Sequence, residues 1–177
     1  LRPMMKLIVD IGEYCGIPTK EIPGFHEKLL RAFPGLAKNK CSLGYEGGFL
    51  QRLKEGTYLA HVLEHVILEM QSMLGYDVRY GKTRQYRSPS EYYLVYEYQN
   101  KVCGLECGKA AVFLLNCFLN GEDPDVPGFL DYLQKVATDA ELGPSTSAIV
   151  AEARKRGIPV TRIGDESLVR LGYGKHS

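Results

Sequence analysis

Thr57-Tyr58-Leu59-Ala60-His61-Val62-Leu63-Glu64-His65-Val66-Ile67-Leu68-Glu69-Met70 is the stretch on which the fold turns. Leu59, Val62, Leu63, Val66, Met70, Met73 and Leu74 recur at the three-and-four spacing of a buried helical stripe. The pattern predicts a helix that opens at Gly56-Thr57, with Thr57 as its cap, and stops near Leu74-Gly75, where glycine suits the C′ position. An α-helix turns about 100° per residue, so positions four apart share a face. His61 and His65 therefore aim at one point, with Glu64 about 60° to one side of His61 and Glu69 about 40° beyond His65. One face anchors the helix and the other presents His, Glu, His and Glu. Leu68 falls on the histidine side, so that side is not wholly open to water.

The HxxEH spacing has a specific chemical use. Two imidazoles one turn apart can hold Zn²⁺ or a similar divalent metal. The glutamate between them can take a proton from a water that the metal acidifies. This is the reverse of the HExxH zinc-peptidase motif. A solvated helix face with two ordinary histidines is the bland alternative, because the pattern is short. A third ligand is required. Glu69 lies about 12 Å along the helix from His61, too far for both to reach one ion, and suits a supporting role beside His65. Glu97 is the stronger candidate, as a carboxylate set in the apolar run Val95-Tyr96-Glu97-Tyr98, where a charge needs a partner. Cys103 and Cys107 also stand four apart, but no second pair accompanies them and core packing explains them.

Around the central helix the elements alternate. Lys6 to Ile11 is strand-like, and Phe25, Leu29, Leu30 and Phe33 mark a helix that Pro34-Gly35 ends. Cys41 to Leu50 is a glycine-rich connector, either plain punctuation or a backbone loop close to a ligand. Asp77 to Tyr80 reads as a strand, Gly81 to Ser90 as an exposed loop, and Tyr92 to Tyr98 as the clearest strand. Helices follow over about Val102–Leu119 and Phe129–Ala140, separated by a linker-like Gly121–Gly128. Leu142-Gly143-Pro144 looks like a domain boundary, with a helix over Ser145–Lys155 and short strands at Val160–Ile163 and Ser167–Leu171 beyond it. The expected fold is α/β (α+β): a small mixed sheet covered by helices in residues 1–142, then a short helix–strand segment, 143–177, belonging to a next domain.

Composition fits a globular chain: 177 residues, 45% hydrophobic and 24% charged, with a net charge of +1. That charge gives no bulk attraction to nucleic acid or anionic lipid. No apolar run approaches the roughly 18 residues of a membrane span, and no signal-peptide pattern is present. Five cysteines in no disulfide framework suit a reduced, cytoplasmic protein. Arg79, Lys82, Arg84 and Arg87, interleaved with Tyr80 and Tyr86, form either a solvated hairpin or a patch for carboxylates. Neither a GxxxxGK[ST] nor a GxGxxG loop occurs.

In order along nearly the whole chain, Glu21-Ile22-Pro23-Gly24-Phe25, Asn39-Lys40-Cys41-Ser42-Leu43-Gly44, Gly47-Gly48-Phe49, Glu55-Gly56-Thr57, His61 to Glu69, Gly81-Lys82-Thr83-Arg84 and Val95-Tyr96-Glu97-Tyr98 resemble the N-terminal domain of the cyanophycin synthetase family. The stretch from Leu142 through Lys175 is similar to the junction into that family's ATP-grasp domain. The resemblance implies a segment of an ATP-dependent ligase that polymerises aspartate and arginine. It implies downstream ATP-grasp and Mur-ligase-like domains that use ATP and Mg²⁺, and a homo-oligomer in the full-length form. For this segment it implies binding of the cyanophycin polymer. In some members a metal-dependent hydrolytic site also cuts polymer into primers, with His61, Glu64 and His65 at the matching positions. Arg79, Lys82 and Arg84 would position acidic groups, although Lys82 stands where the family pattern has arginine and lacks its bidentate fork. A docking module without catalysis, or an oligomer scaffold, remains the alternative.

Overall fold

The computed structural model describes residues 2–164 and 167–174. The chain forms two compact units, residues 1–134 and 135–177. The first unit contains β1 (Met4–Asp10), α1 (Phe25–Ala32), α2 (Gly48–Glu55), α3 (Leu59–Met73), β2 (Gly81–Gln85), β3 (Glu91–Glu97) and α4 (Lys101–Leu119). α5 (Val126–Ala140) runs across the division, ahead of the boundary at Gly143 that the sequence suggests. The second unit goes on to α6 (Pro144–Lys155) and a hairpin of β4 (Val160–Arg162) and β5 (Val169–Leu171).

The main sheet has the order β1-β3-β2, and β3 pairs antiparallel with both neighbours. It is thus antiparallel throughout rather than mixed: β2 and β3 are joined by a short turn, which forces opposite directions, and β1 also runs against β3. Alternation sets the faces. Leu94 and Tyr96 of β3 are buried on the inner face, opposite Leu7 and Met5 of β1, with Thr83 of β2 beside Leu94. Lys6, Ile8, Lys82 and Arg84 face outward and are exposed.

Phe25, Leu29, Phe33, Leu36, Phe49 and Leu53 are fully or almost fully buried. Each such side chain contributes about 1.5–3 kcal/mol of burial. α3 sits at the centre of this core. It ends in a Schellman turn: Tyr76 N donates to Gln71 O at 3.1 Å and Gly75 N to Ser72 O at 3.0 Å, with Gly75 at φ +90°.

Several expectations need correction. Thr57 does not cap α3: Tyr58 takes that position and no side-chain cap bond forms. The polar side of α3 is not free, since Glu64, His65, Glu69 and Gln71 are all buried. The strand read at Asp77–Tyr80 begins instead at Gly81, because the amides of Arg79 and Tyr80 donate to the Glu97 carboxylate rather than to a ladder. Gly47 to Leu50 is not a connector but the start of α2, with Gly47 at φ +84° as N-cap. α4 is long and apolar enough to cross a membrane by length and composition, with mean hydropathy 1.6 over its window. Its polar interruptions hid this from a search for an unbroken run. Cys103, Cys107, Ala111 and Leu114 on it are nonetheless fully buried within the protein, as in a core helix.

Candidate metal centre and its cleft

α3 forms the floor of a cleft of about 1270 Å³. Lys38–Ser42 lines one part of it and Asp77–Arg84 another, and all its lining residues fall between 38 and 92. Segments far apart in sequence thus close over the polar face of α3.

Cys41, His61 and His65 meet there. One donor atom from each lies within 4.8 Å of the other two. Cys41 Sγ stands 3.3 Å from His61 Nε2. The two imidazoles meet edge to face at 4.8 Å between centroids, as their one-turn spacing requires. Phe49 of α2 stacks on His65 at 3.9 Å and meets His61 edge-on at 5.7 Å, so one ring fixes both. Thr57 Oγ1 shares a hydrogen bond of 2.7 Å with His61 Nδ1, which turns Nε2 toward the thiol. Cys41 has φ +55°. Gly48 keeps the loop tight, since a Cβ there would lie 2.2 Å from the Lys40 carbonyl oxygen.

Burial lowers the pKa of both His61 and His65, which favours neutral, ligating imidazoles. For His61 the Glu64 carboxylate works against burial and Arg52 works with it. Burial also opposes the Cys41 thiolate, but hydrogen bonding and charge from His65, with a hydrogen bond from Ser42, leave the thiol below its ordinary value. A thiol and two imidazoles are a donor set that suits Zn²⁺. Ligands of one tetrahedral zinc stand roughly 3.3–3.6 Å apart, so the Cys41–His61 separation of 3.3 Å already fits, and a spacing as wide as 4.8 Å within the group would close by about 1 Å on binding.

Glu64 is buried next to this group. Its Oε2 accepts from Thr83 Oγ1 at 2.5 Å, and Gly81 leaves room for it. Burial raises its pKa, against the Thr83 hydrogen bond, the His61 charge and Arg84. Glu69 also lines the cleft, but its carboxylate packs on Gly35 and hydrogen-bonds Asn39, and burial raises its pKa too. Glu97 does not join the histidines. Its carboxylate accepts the Arg79 and Tyr80 amides at 3.2 Å each and pairs with Arg2 at 3.6 Å, so its need for a partner is met by the chain. Cys41 stands where Glu97 was expected.

Lys82 and Arg84 line the cleft together with Lys38, Lys40 and Arg52. Arg79 lines it too, but is paired with Asp77 at 2.7 Å. The sequence reading did not pick out Cys41, Thr57, Thr83 or Arg52 for these positions. The one available signal was that each of the first three lies in a motif quoted above, Cys41 and Thr83 with no role and Thr57 only as a helix cap.

Residues 6–120 match the family model described as cyanophycin synthase-like N-terminal domain. The chain is 43% identical over 175 residues to the cyanophycin synthetase of Trichormus variabilis, which covers 96% of this chain and 19% of that protein. It is 40% identical over 177 residues to the cyanophycin synthetase of Synechocystis sp., covering 97% of this chain and 20% of that protein. The figures for the Geminocystis herdmanii protein are 36% over 175 residues, with 97% and 20% coverage. The chain spans about one fifth of the length of these curated relatives. With the family model matched over well more than half of its residues, the chain belongs to the cyanophycin synthase-like N-terminal domain family.

Proposed function

We propose that this chain is the polymer-handling segment of a cyanophycin synthetase, and that its cleft hydrolyses amide bonds of the arginyl-aspartate polymer to make primers. The observation that carries this reading is the meeting of Cys41, His61 and His65 within 4.8 Å, beside a buried Glu64, in a cleft with basic lining. Cys41, His61 and His65 would hold a divalent metal such as Zn²⁺. Bound there, it would lower the pKa of a water and polarise the amide carbonyl.

The chain's own residues do the rest. With Nδ1 protonated, His61 would donate to Thr57 Oγ1 and keep the Nε2 lone pair toward Cys41. Glu64 takes a proton from the attacking water and returns it to the leaving amine as the C–N bond breaks. Lys82, Arg84 and Arg79 hold polymer carboxylates, with Lys38, Lys40 and Arg52 adding to the same field. Ligation, with its ATP and Mg²⁺, is assigned to ATP-grasp and Mur-ligase-like domains beyond this chain, in a full-length homo-oligomer.

The basic lining also supports a second reading, docking of polymer without cleavage. The two are separated by incubating the zinc-loaded protein with polymer in the absence of ATP. Cleavage that Glu64→Gln abolishes supports hydrolysis. Binding without cleavage supports docking alone.

A further inference from the structure

Gly81-Lys82-Thr83-Arg84 is a strand whose two faces have different tasks. Lys82 and Arg84 are exposed, while Gly81 and Thr83 face inward, with Thr83 opposite Leu94 of β3. Both inward residues meet one side chain on α3. Thr83 Oγ1 donates to Glu64 Oε2 at 2.5 Å. A Cβ on Gly81 would lie 2.6 Å from Glu64 Cγ and 2.7 Å from Oε1. The edge strand therefore brackets the carboxylate, with a hydroxyl on one oxygen and a missing side chain beside the other. The period of two along a strand puts residues 81 and 83 on this side and no β2 neighbour between them.

We infer that Thr83 is a positioning residue for Glu64: its hydroxyl pins Oε2, so that Oε1 is the oxygen presented to the proton it must accept, and Gly81 provides the space for that pose. The inference rests on the hydrolytic reading above. A glutamate has three rotatable side-chain bonds, and burial alone does not select among rotamers that keep the carboxylate inside. A base must stay within hydrogen-bond reach of the proton it takes. Displacement of a reacting group by about 1 Å can cost roughly 100-fold in rate. Threonine suits the task because its branched Cβ holds the hydroxyl in few orientations and fits an edge strand.

The test uses the zinc-loaded protein, the arginyl-aspartate polymer as probe and no ATP. Thr83→Val keeps the shape and removes the hydroxyl. The expected result is a kcat about 10- to 100-fold lower, KM within about twofold, and the same metal content as the parent. Thr83→Ser restores kcat to within about threefold, since it returns the donor. Gly81→Ala, which crowds the same carboxylate, lowers kcat while the metal is retained. A Thr83→Val protein with parental kcat, in a background where Glu64→Gln is inactive, overturns the positioning role and leaves the hydrolytic reading standing. Loss of the metal or the fold in Thr83→Val also overturns it, because Thr83 is then structural. A parent that does not cleave, or a Glu64→Gln protein that does, removes the hydrolytic reading and this inference together.

Discussion

At Cys41 the backbone adopts φ +55°, and no other non-glycine residue among those described has a positive φ. A left-handed L-residue costs about 1–2 kcal/mol, and such strain is commonly retained where a side chain has a task. Comparison of Cys41→Gly with Cys41→Ala isolates it. Both lose the metal, and in denaturant melts of the metal-free protein the glycine variant should be the more stable by about 1 kcal/mol. An alanine variant of equal or greater stability contradicts the strain. His26 supplies a pH test. Its Nε2 stands 2.9 Å from Thr19 Oγ1, and burial holds its pKa below the ordinary 6.5. Between the ordinary value and the lower folded one the unfolded chain binds more protons, so stability is lost as pH falls through that window. Glutamine at this position does not titrate. The stability advantage of the parent over His26→Gln should therefore shrink from pH about 7.5 to pH about 5, and a constant difference rejects it. Of the three side chains that meet in the cleft, the pairing of His61 with His65 was legible because a helix repeats every turn. Cys41 was not, since a side chain on a loop of irregular backbone has no period to announce its neighbours, and twenty residues separate it from His61.

α3 was legible in its apolar spacing and in its stop at Gly75, but its start falls one residue past the Thr57 cap that the sequence suggests, at Tyr58. What covers its polar side was not, because that depends on where Lys38–Ser42 and Gly81–Arg84 fold back. β2 was misplaced for a related reason. Val78 and Tyr80 alternate like a strand, yet the chain pairs Gly81–Gln85, whose Lys82 and Arg84 have low strand propensity but suit a charged edge. α2 was hidden by the glycines that start it. Gly48 is held there by contact with the Lys40 carbonyl, where a Cβ would sit at 2.2 Å. Gly48→Ala should cost about 1–3 kcal/mol in a denaturant melt and weaken metal affinity by displacing the Cys41 loop from α2. Unchanged stability and affinity would show that the loop accommodates the methyl group and does not depend on this contact.

For the molecule as a whole, the ordered set of motifs disclosed the family, and the α+β class followed from the alternation of elements. The antiparallel sheet and the burial of α4 depend on pairing and packing that no local pattern encodes. The cleft's charge is a property at this scale. With Lys38, Lys40, Arg52, Lys82 and Arg84 on its lining, polymer affinity should fall by at least about tenfold between roughly 0.05 and 0.5 M salt, and Arg84→Glu should weaken it further at low salt. Salt-independent binding would assign the polymer to another surface. Hydrolysis in this cleft requires that Cys41, His61 and His65 hold a metal and that Glu64 serve as the base that cuts the polymer. The most direct measurement pairs metal content with ATP-independent polymer cleavage in the parent, Cys41→Ala and Glu64→Gln proteins. The account predicts about one zinc per chain with cleavage in the parent, loss of both in Cys41→Ala, and metal without cleavage in Glu64→Gln. A parent that binds no divalent metal, or a Glu64→Gln protein that cuts polymer at the parental rate, contradicts it.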